Sequence, residues 1–316
     1  SPDTSNVAAA QPVHWPDAAR GHAFDAWLQS VQQRFGLQPD SVRLASADAS
    51  FRRYFRVTLD GVTRIAMDAP PEREDSRPFI HVAQLMRDAG VHVPEVLAAD
   101  TAQGFMLLTD LGNTTYLKAL TDDNADALFR DAIAALITWQ RASRPDVLPP
   151  YDRALLQREM DLFPDWYVGR HLGLTLSDAQ REVLAKINQL LADSALAQPP
   201  VYVHRDYMPR NLMLSTPNPG VLDFQDAVYG PITYDVASLF RDAYLSWPEE
   251  RVIDWVARYW EQAKRAQLPV DPDFGAFYRA LEWMGLQRHL KVLGIFARIH
   301  YRDGKPGYLE DTPRFL

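Results

Sequence analysis

The chain contains no cysteine. Disulfide bridges, thiolate metal sites and cysteine nucleophiles are therefore excluded. Lysine is almost as scarce. Of 33 cationic residues only Lys118, Lys186, Lys264, Lys291 and Lys305 are lysine, and the first 117 residues have none. Only 15 of the 316 residues are glycine. Neither G-x-x-x-x-G-K-[ST] nor G-x-G-x-x-G occurs, and H-E-x-x-H and G-x-S-x-G are missing too. The eight histidines show no metal-ligand spacing. No uncharged run reaches the roughly 18 residues of a membrane-spanning helix. The opening SPDTSNVAAAQPV has neither the basic start nor the apolar centre of a secretory signal, so residues 1–14 are expected to be a frayed terminus. What is present is a globular composition, 47% hydrophobic and 23% charged, with a net charge of −8. That acidic balance argues against nucleic acid as a partner. A monomeric, cytoplasmic protein with no membrane partner is expected.

The chain changes character near residue 110. VRLASA (42–47), FRRYFRVTL (51–59) and VTRIAM (62–67) read as strands. Asp60-Gly61 between the last two is a two-residue hairpin turn, because both residues tolerate positive φ. A helix is expected over 76–89, with Ser76 as N-cap and Gly90 past its end. Strands near 95–99 and 104–109 complete this part. Beyond Gly112 the periodicity is helical, over 125–143, 177–196, the Val252/Val256/Tyr259/Trp260/Ala263 stripe and a long apolar run at 277–299. VYVHRDYMPRNLML (201–214) and VLDFQDAVYG (221–230) interrupt it as two short strands, read as one small hairpin with polar residues at its end.

Those polar residues carry the chemistry. His204-Arg205-Asp206 is followed by Asn211, giving H-R-D-x-x-x-x-N, and Asp223 stands in Leu222-Asp223-Phe224-Gln225. Phosphoryl transfer needs a carboxylate to orient the attacking hydroxyl and accept its proton, and oxygen ligands for Mg²⁺. Asp206 fits the base, and Asn211 and Asp223 the metal ligands. The plainer alternative leaves His204 capping a loop and Asp206 paired with Arg205 or Arg210.

VHRDYMPRNLML with VLDFQD resembles the catalytic and metal-binding loops of the aminoglycoside phosphotransferase and choline kinase superfamily. SFRRYFRV (50–57) resembles its nucleotide-covering hairpin, FMLLTDLG (105–112) its hinge and PITYDVAS (231–238) its next helix. The strings SADASFRRYFRV, MDAPPE, LLTDLG and QRHLKVLGIFARIHYRDGK are similar, more narrowly, to the N-acetylmuramate/N-acetylglucosamine anomeric kinases of bacterial cell-wall recycling. The resemblance implies an α+β, protein-kinase-like two-lobe fold: a small antiparallel-sheet lobe over 1–110 and a mainly helical lobe over 111–316. It implies an enzyme, an ATP- and Mg²⁺-dependent kinase that phosphorylates the anomeric hydroxyl of a small-molecule sugar. Other acceptors of the aminoglycoside, choline or homoserine type are the alternative, and a nucleotide-binding pseudokinase is a third. His204 and Asp235 become structural, with Asp235 bracing the catalytic loop. Ser50, Phe51, Arg53, Thr109, Asp110 and Leu111 become nucleotide-binding, adenine lying against backbone at 109–111. Tyr207, Arg210, Gln225, Asp226 and Arg288 become candidates for the acceptor site.

The sequence departs from that superfamily in one respect. A lysine on the third strand and a glutamate on the next helix are expected, but the strand has Met67 or Arg64 and the helix has His81 and Gln84. Phe51, Arg53, Phe55 and Val57 share one face of the second strand, while Arg52, Tyr54 and Arg56 share the other. Arginine from the first hairpin, Arg53 ahead of Arg52, is the expected substitute.

Overall fold

A computed structural model describes residues 13–35, 42–47, 52–241 and 245–303. They pack as two compact units. The first comprises residues 1–84 and 94–111, the second residues 85–93 and 112–316.

The first unit is built on a five-stranded antiparallel sheet. Its strands are β1 (Arg43–Ala47), β2 (Arg53–Leu59), β3 (Val62–Asp68), β4 (Val96–Asp100) and β5 (Phe105–Thr109), in the order β1-β2-β3-β5-β4. Asp60 and Gly61 take φ of 49° and 78°, the mirror-image turn expected between β2 and β3. Helix α1 (Ala18–Phe35) was not foreseen. It buries Phe24, Trp27, Leu28 and Val31 on Phe55, Val57, Leu59, Ala66, Phe105 and Leu107. Each such side chain removed from water contributes roughly 1.5–3 kcal/mol.

Helix α2 spans Arg77–Ala89. Its start differs from expectation. The buried Ser76 hydroxyl makes no hydrogen bond, and Asp75 Oδ1 accepts the Arg77 N–H at 3.0 Å instead. Its end follows the expectation. Gly90 takes φ of 97°, and Val91 N–H returns to Met86 O at 2.9 Å, a closure that a left-handed residue permits.

The second unit is helical: α3 (Tyr116–Ala119), α4 (Ala125–Arg141), α5 (Arg153–Leu162), α6 (Asp178–Ala197), α7 (Thr233–Phe240), α8 (Glu249–Arg265) and α9 (Phe274–Asp303). Helix α5 runs into a π-helical stretch, Phe163–His171, whose Tyr167 packs on Leu293 and Ala297 of α9. Gly294 makes that approach possible, since a Cβ there would lie 2.3 Å from the Leu162 carbonyl carbon. On α8 the buried stripe is Val252, Trp255, Val256, Tyr259 and Ala263, so Trp255 replaces the expected Trp260. Among the described residues no helix is long and apolar enough to cross a membrane.

Four short strands sit among these helices: β6 (Pro200–Val203), β7 (Leu212–Met213), β8 (Gly220–Val221) and β9 (Val228–Pro231). The expected single hairpin is not formed. β6 pairs with β9 and β7 pairs with β8, which gives two separate antiparallel ladders. Runs of two to four residues carry too little side-chain pattern to specify a partner.

Candidate active site

The chain leaves β6 at Val203 and enters a loop whose first two amides are fixed from below. Asp235, fully buried on α7, accepts the His204 N–H on Oδ2 at 2.7 Å and the Arg205 N–H on Oδ1 at 3.0 Å. Burial pushes the Asp235 carboxyl pKa up, against the two backbone N–H groups that favour the carboxylate.

His204, also fully buried, uses both ring nitrogens. Nδ1 accepts the Asp206 N–H at 3.0 Å, so Nε2 carries the hydrogen and donates to Leu222 O at 2.8 Å. One neutral imidazole therefore joins Asp206 to the residue preceding Asp223.

Asn211 closes the arrangement. Its Nδ2 donates to Asp206 O at 2.8 Å, which turns Oδ1 the opposite way. Its carbonyl accepts the Leu222 N–H at 2.9 Å, extending the β7–β8 ladder and setting Asn211 beside Leu222 and Asp223. Gln225 Nε2 donates to Asp223 Oδ1 at 2.8 Å, fixing the rotation of that carboxylate. Asp206, Asn211 and Asp223 are thus gathered into one hydrogen-bonded frame. Arg205 and Asp223 hold φ of 84° and 58° without being glycine. Such left-handed geometry costs on the order of 1 kcal/mol per residue and persists where the surroundings enforce it.

Beneath the loop lies a charged cluster that sequence reading did not assemble. The Arg205 guanidinium pairs with Glu159 of α5, not with Asp206. Lys291 of α9 lies 3.2 Å from the same carboxylate and donates to the Tyr234 hydroxyl at 2.8 Å. Tyr151 donates to the other Glu159 oxygen. Burial alone would raise the Glu159 carboxyl, but Lys291 and Arg205 bring it below its ordinary value. Burial opposes the Lys291 charge as well, and Glu159 restores it above the ordinary value. A lone Glu in an amphipathic helix gives no sign of such a role.

Tyr207, expected at the acceptor site, is buried and donates its hydroxyl to Ala132 O at 2.6 Å. Arg288 is also buried, its guanidinium 5.4 Å from the Tyr234 ring centre. Gln225 is buried and serves Asp223. Asp226 is exposed, with its carbonyl 3.4 Å from Arg205 Nη1, and Arg210 is half-buried in the short turn Pro209–Asn211.

In the first unit, Arg53 belongs to the α1 face. Its guanidinium donates to His14 O at 2.7 Å, lies 3.5 Å from Asp68 and stacks 4.3 Å from the Trp15 ring centre. The Thr109 N–H is committed to Glu95 O at 3.0 Å. The Asp110 carboxylate accepts two hydrogen bonds from Arg56 at 2.6 and 3.1 Å, and Leu111 is buried. Ser50 and Phe51 lie outside the described residues.

A five-stranded antiparallel unit with one following helix, and a helical unit presenting a braced H-R-D-x-x-x-x-N loop, define a phosphotransferase of protein-kinase-like fold. The family model described as "Phosphotransferase enzyme family" matches residues 41–278, and the chain belongs to that family.

Its relatives include the N-acetylmuramate/N-acetylglucosamine kinase of Pseudomonas putida, 60% identical over 87% of this chain and 81% of that protein. The proteins of that name from Pseudomonas aeruginosa and Neisseria meningitidis are 55% and 51% identical. They align with 95% and 92% of this chain and with 91% and 87% of their own lengths. Solved structures of like fold include a choline kinase from Streptococcus pneumoniae, with TM-score 0.66, 12% identity and 93% and 97% of the two chains covered. A gentamicin complex of an aminoglycoside phosphotransferase gives TM-score 0.64 at 14% identity, covering 96% of each chain.

Proposed function

We propose that the chain transfers the γ-phosphoryl group of ATP to the anomeric hydroxyl of N-acetylmuramic acid or N-acetylglucosamine, with Mg²⁺ held by Asn211 and Asp223. The observation that carries the chemistry is the His204 imidazole that ties Asp206 to the Asn211–Asp223 side of the frame. The sugar is supported by relatives 51–60% identical that bear that activity in their names.

Asp206 orients the anomeric hydroxyl and accepts its proton as the new oxygen–phosphorus bond forms and the bond to the β-phosphate oxygen breaks. An anomeric hydroxyl is more acidic than an ordinary alcohol, so this transfer can come late. An amide oxygen and a carboxylate suit a hard cation. Among the described residues no group of three or more His, Cys, Asp or Glu side chains could hold a metal by itself. Two protein oxygens fit an ion that takes its remaining ligands from phosphates and water. Bound there, Mg²⁺ would neutralise charge on the transferred phosphoryl group.

The test incubates purified protein with ATP and, separately, both amino sugars, an aminoglycoside, choline and homoserine, reading products by ³¹P NMR. Sugar 1-phosphates from the amino sugars alone are expected. Phosphorylation of another acceptor, or of a different sugar hydroxyl, would overturn the reading. Absence of turnover with every acceptor would leave a nucleotide-binding protein without catalysis.

A further inference from the structure

Arg205 stands where glycine would be the easier residue. Its own N–H is held by Asp235 Oδ1 at 3.0 Å, and the next N–H, that of Asp206, is held by His204 Nδ1 at 3.0 Å. Between these two bonds the chain turns with Arg205 at φ of 84°. Glycine adopts that left-handed conformation freely, whereas a residue with a side chain holds it only where its surroundings enforce it. An arginine at such a turn is explained by what its side chain grips.

The guanidinium reaches in two directions. Nη2 pairs with Glu159 of α5, and Nη1 donates to the Asp226 carbonyl at 3.4 Å, three residues beyond Asp223. Glu159 is 5% exposed and is itself fixed, since Tyr151 donates to its second oxygen and Lys291 of α9 lies 3.2 Å from the first. Lys291 in turn donates to the Tyr234 hydroxyl at 2.8 Å, one residue before Asp235 on α7. The carboxylate that holds the loop backbone and the carboxylate that holds the Arg205 side chain are thus joined through one buried group. Removing one partner of a buried ion pair strands the other charge, so the guanidinium has little freedom to swing away.

We propose that Arg205 and Glu159 are positioning residues for the general base: their ion pair holds the turn at Arg205 and so sets the direction in which Asp206 meets the acceptor hydroxyl. The inference rests on the reading of Asp206 as base. Neither residue needs to touch substrate, because a misplacement of about 1 Å at the reacting atoms costs up to about 100-fold in rate. The Asp223 side of the frame keeps its own bonds from Asn211, His204 and Gln225, so metal and nucleotide binding do not depend on this anchor.

The test measures kcat, KM for the sugar, Mg·ATP affinity and melting temperature on the full chain. Arg205→Gly keeps the left-handed turn and removes the anchor. Its kcat is expected to fall about 10- to 100-fold, with sugar KM and Mg·ATP affinity unchanged. Arg205→Lys keeps the charge opposite Glu159 without the second arm, and should fall between Arg205→Gly and the unaltered chain. Glu159→Gln should also lower kcat. The double variant Arg205→Gly/Glu159→Gln should lose no more than Arg205→Gly alone, because the two residues act along one route. Tyr259→Phe removes a buried hydrogen bond to Gln140 and is expected to lower the melting temperature with kcat unchanged, which separates lost stability from lost aim. The proposal is overturned if Arg205→Gly turns over normally, if its loss lies in KM or in Mg·ATP affinity, or if the two losses multiply in the double variant. The Arg205 variants carry the test if Glu159→Gln does not fold. Undiminished turnover by Asp206→Asn would instead refute the base assignment beneath the inference.

Discussion

Asp206 and Tyr207 are adjacent in sequence and opposite in circumstance. Asp206 is only part-buried, and its backbone is bonded to His204 and Asn211. Tyr207 is buried, and its hydroxyl is bonded to the backbone of α4. Asp206→Asn is expected to lower kcat by about 100-fold or more, the contribution of a positioned general base. Mg·ATP affinity and melting temperature should not change, because the backbone bonds that place the loop survive. Near-normal turnover would remove Asp206 from the base role. Tyr207→Phe behaves the other way. It removes a buried hydrogen bond to a carbonyl that keeps its helical partner, and should cost about 1 kcal/mol in denaturant unfolding, with the KM for the sugar unchanged. A raised KM would return Tyr207 to the acceptor site. Residue types and spacing are what single out Asp206, Asn211 and Asp223, and the loop bonds of His204 and Asn211 bring the three into one frame. They do not give the burial of Tyr207 and Gln225, because a loop that turns at positive φ sends neighbouring side chains to different sides.

At the scale of elements, legibility followed pattern length. The β2–β3 hairpin has two full strands and a diagnostic turn, and its boundaries were readable to within two residues. Helix α1 was not read, although positions 24, 27, 28 and 31 form an apolar stripe, because its polar surroundings dilute the signal. The ladders β6–β9 and β7–β8 were not, because their partners are decided by the loops between them. Helix α9 reads as apolar almost all round, yet it leaves Trp283 and Leu286 exposed and buries Arg288 and Lys291. It also half-buries His289, and burial pushes that imidazole down to about 4, with the Arg288 and Arg241 charges acting in the same direction. The folded state therefore holds His289 neutral, while the unfolded chain takes up a proton below the ordinary value of 6.5. Stability is complete above that value and declines as pH falls from 6.5 towards 4, by up to about 3 kcal/mol. His289→Gln should flatten the difference between urea unfolding curves at pH 7 and pH 4.5. If the two proteins lose stability in parallel over that range, His289 is not the group responsible.

For the whole molecule, composition is itself a mechanistic constraint. An ordinary kinase-like small lobe holds nucleotide phosphate with a lysine. This chain has none before Lys118, and β3 carries the apolar, buried Met67 and the half-buried Arg64 instead. Elsewhere Lys291 is buried against Glu159 and Tyr234, where its ammonium is engaged and its charge is stabilised. The remaining described lysines do not belong to the frame around Asp206. Nucleotide binding should therefore be sensitive to arginine chemistry and indifferent to lysine chemistry, the reverse of the usual pattern. An adenosine-linked, lysine-reactive sulfonyl fluoride is expected to give no ATP-protectable adduct anywhere in the chain. An arginine-selective dicarbonyl is expected to abolish ATP binding, with Mg·ATP slowing the loss and the protected peptide belonging to the first unit. Peptide mapping by mass spectrometry reads both results. An ATP-protectable lysine adduct would mean that a residue of the helical unit carries the charge. Protection confined to peptides of the helical unit would move the phosphate contact out of the first unit. With only five lysines in 316 residues, each adduct is assigned without ambiguity.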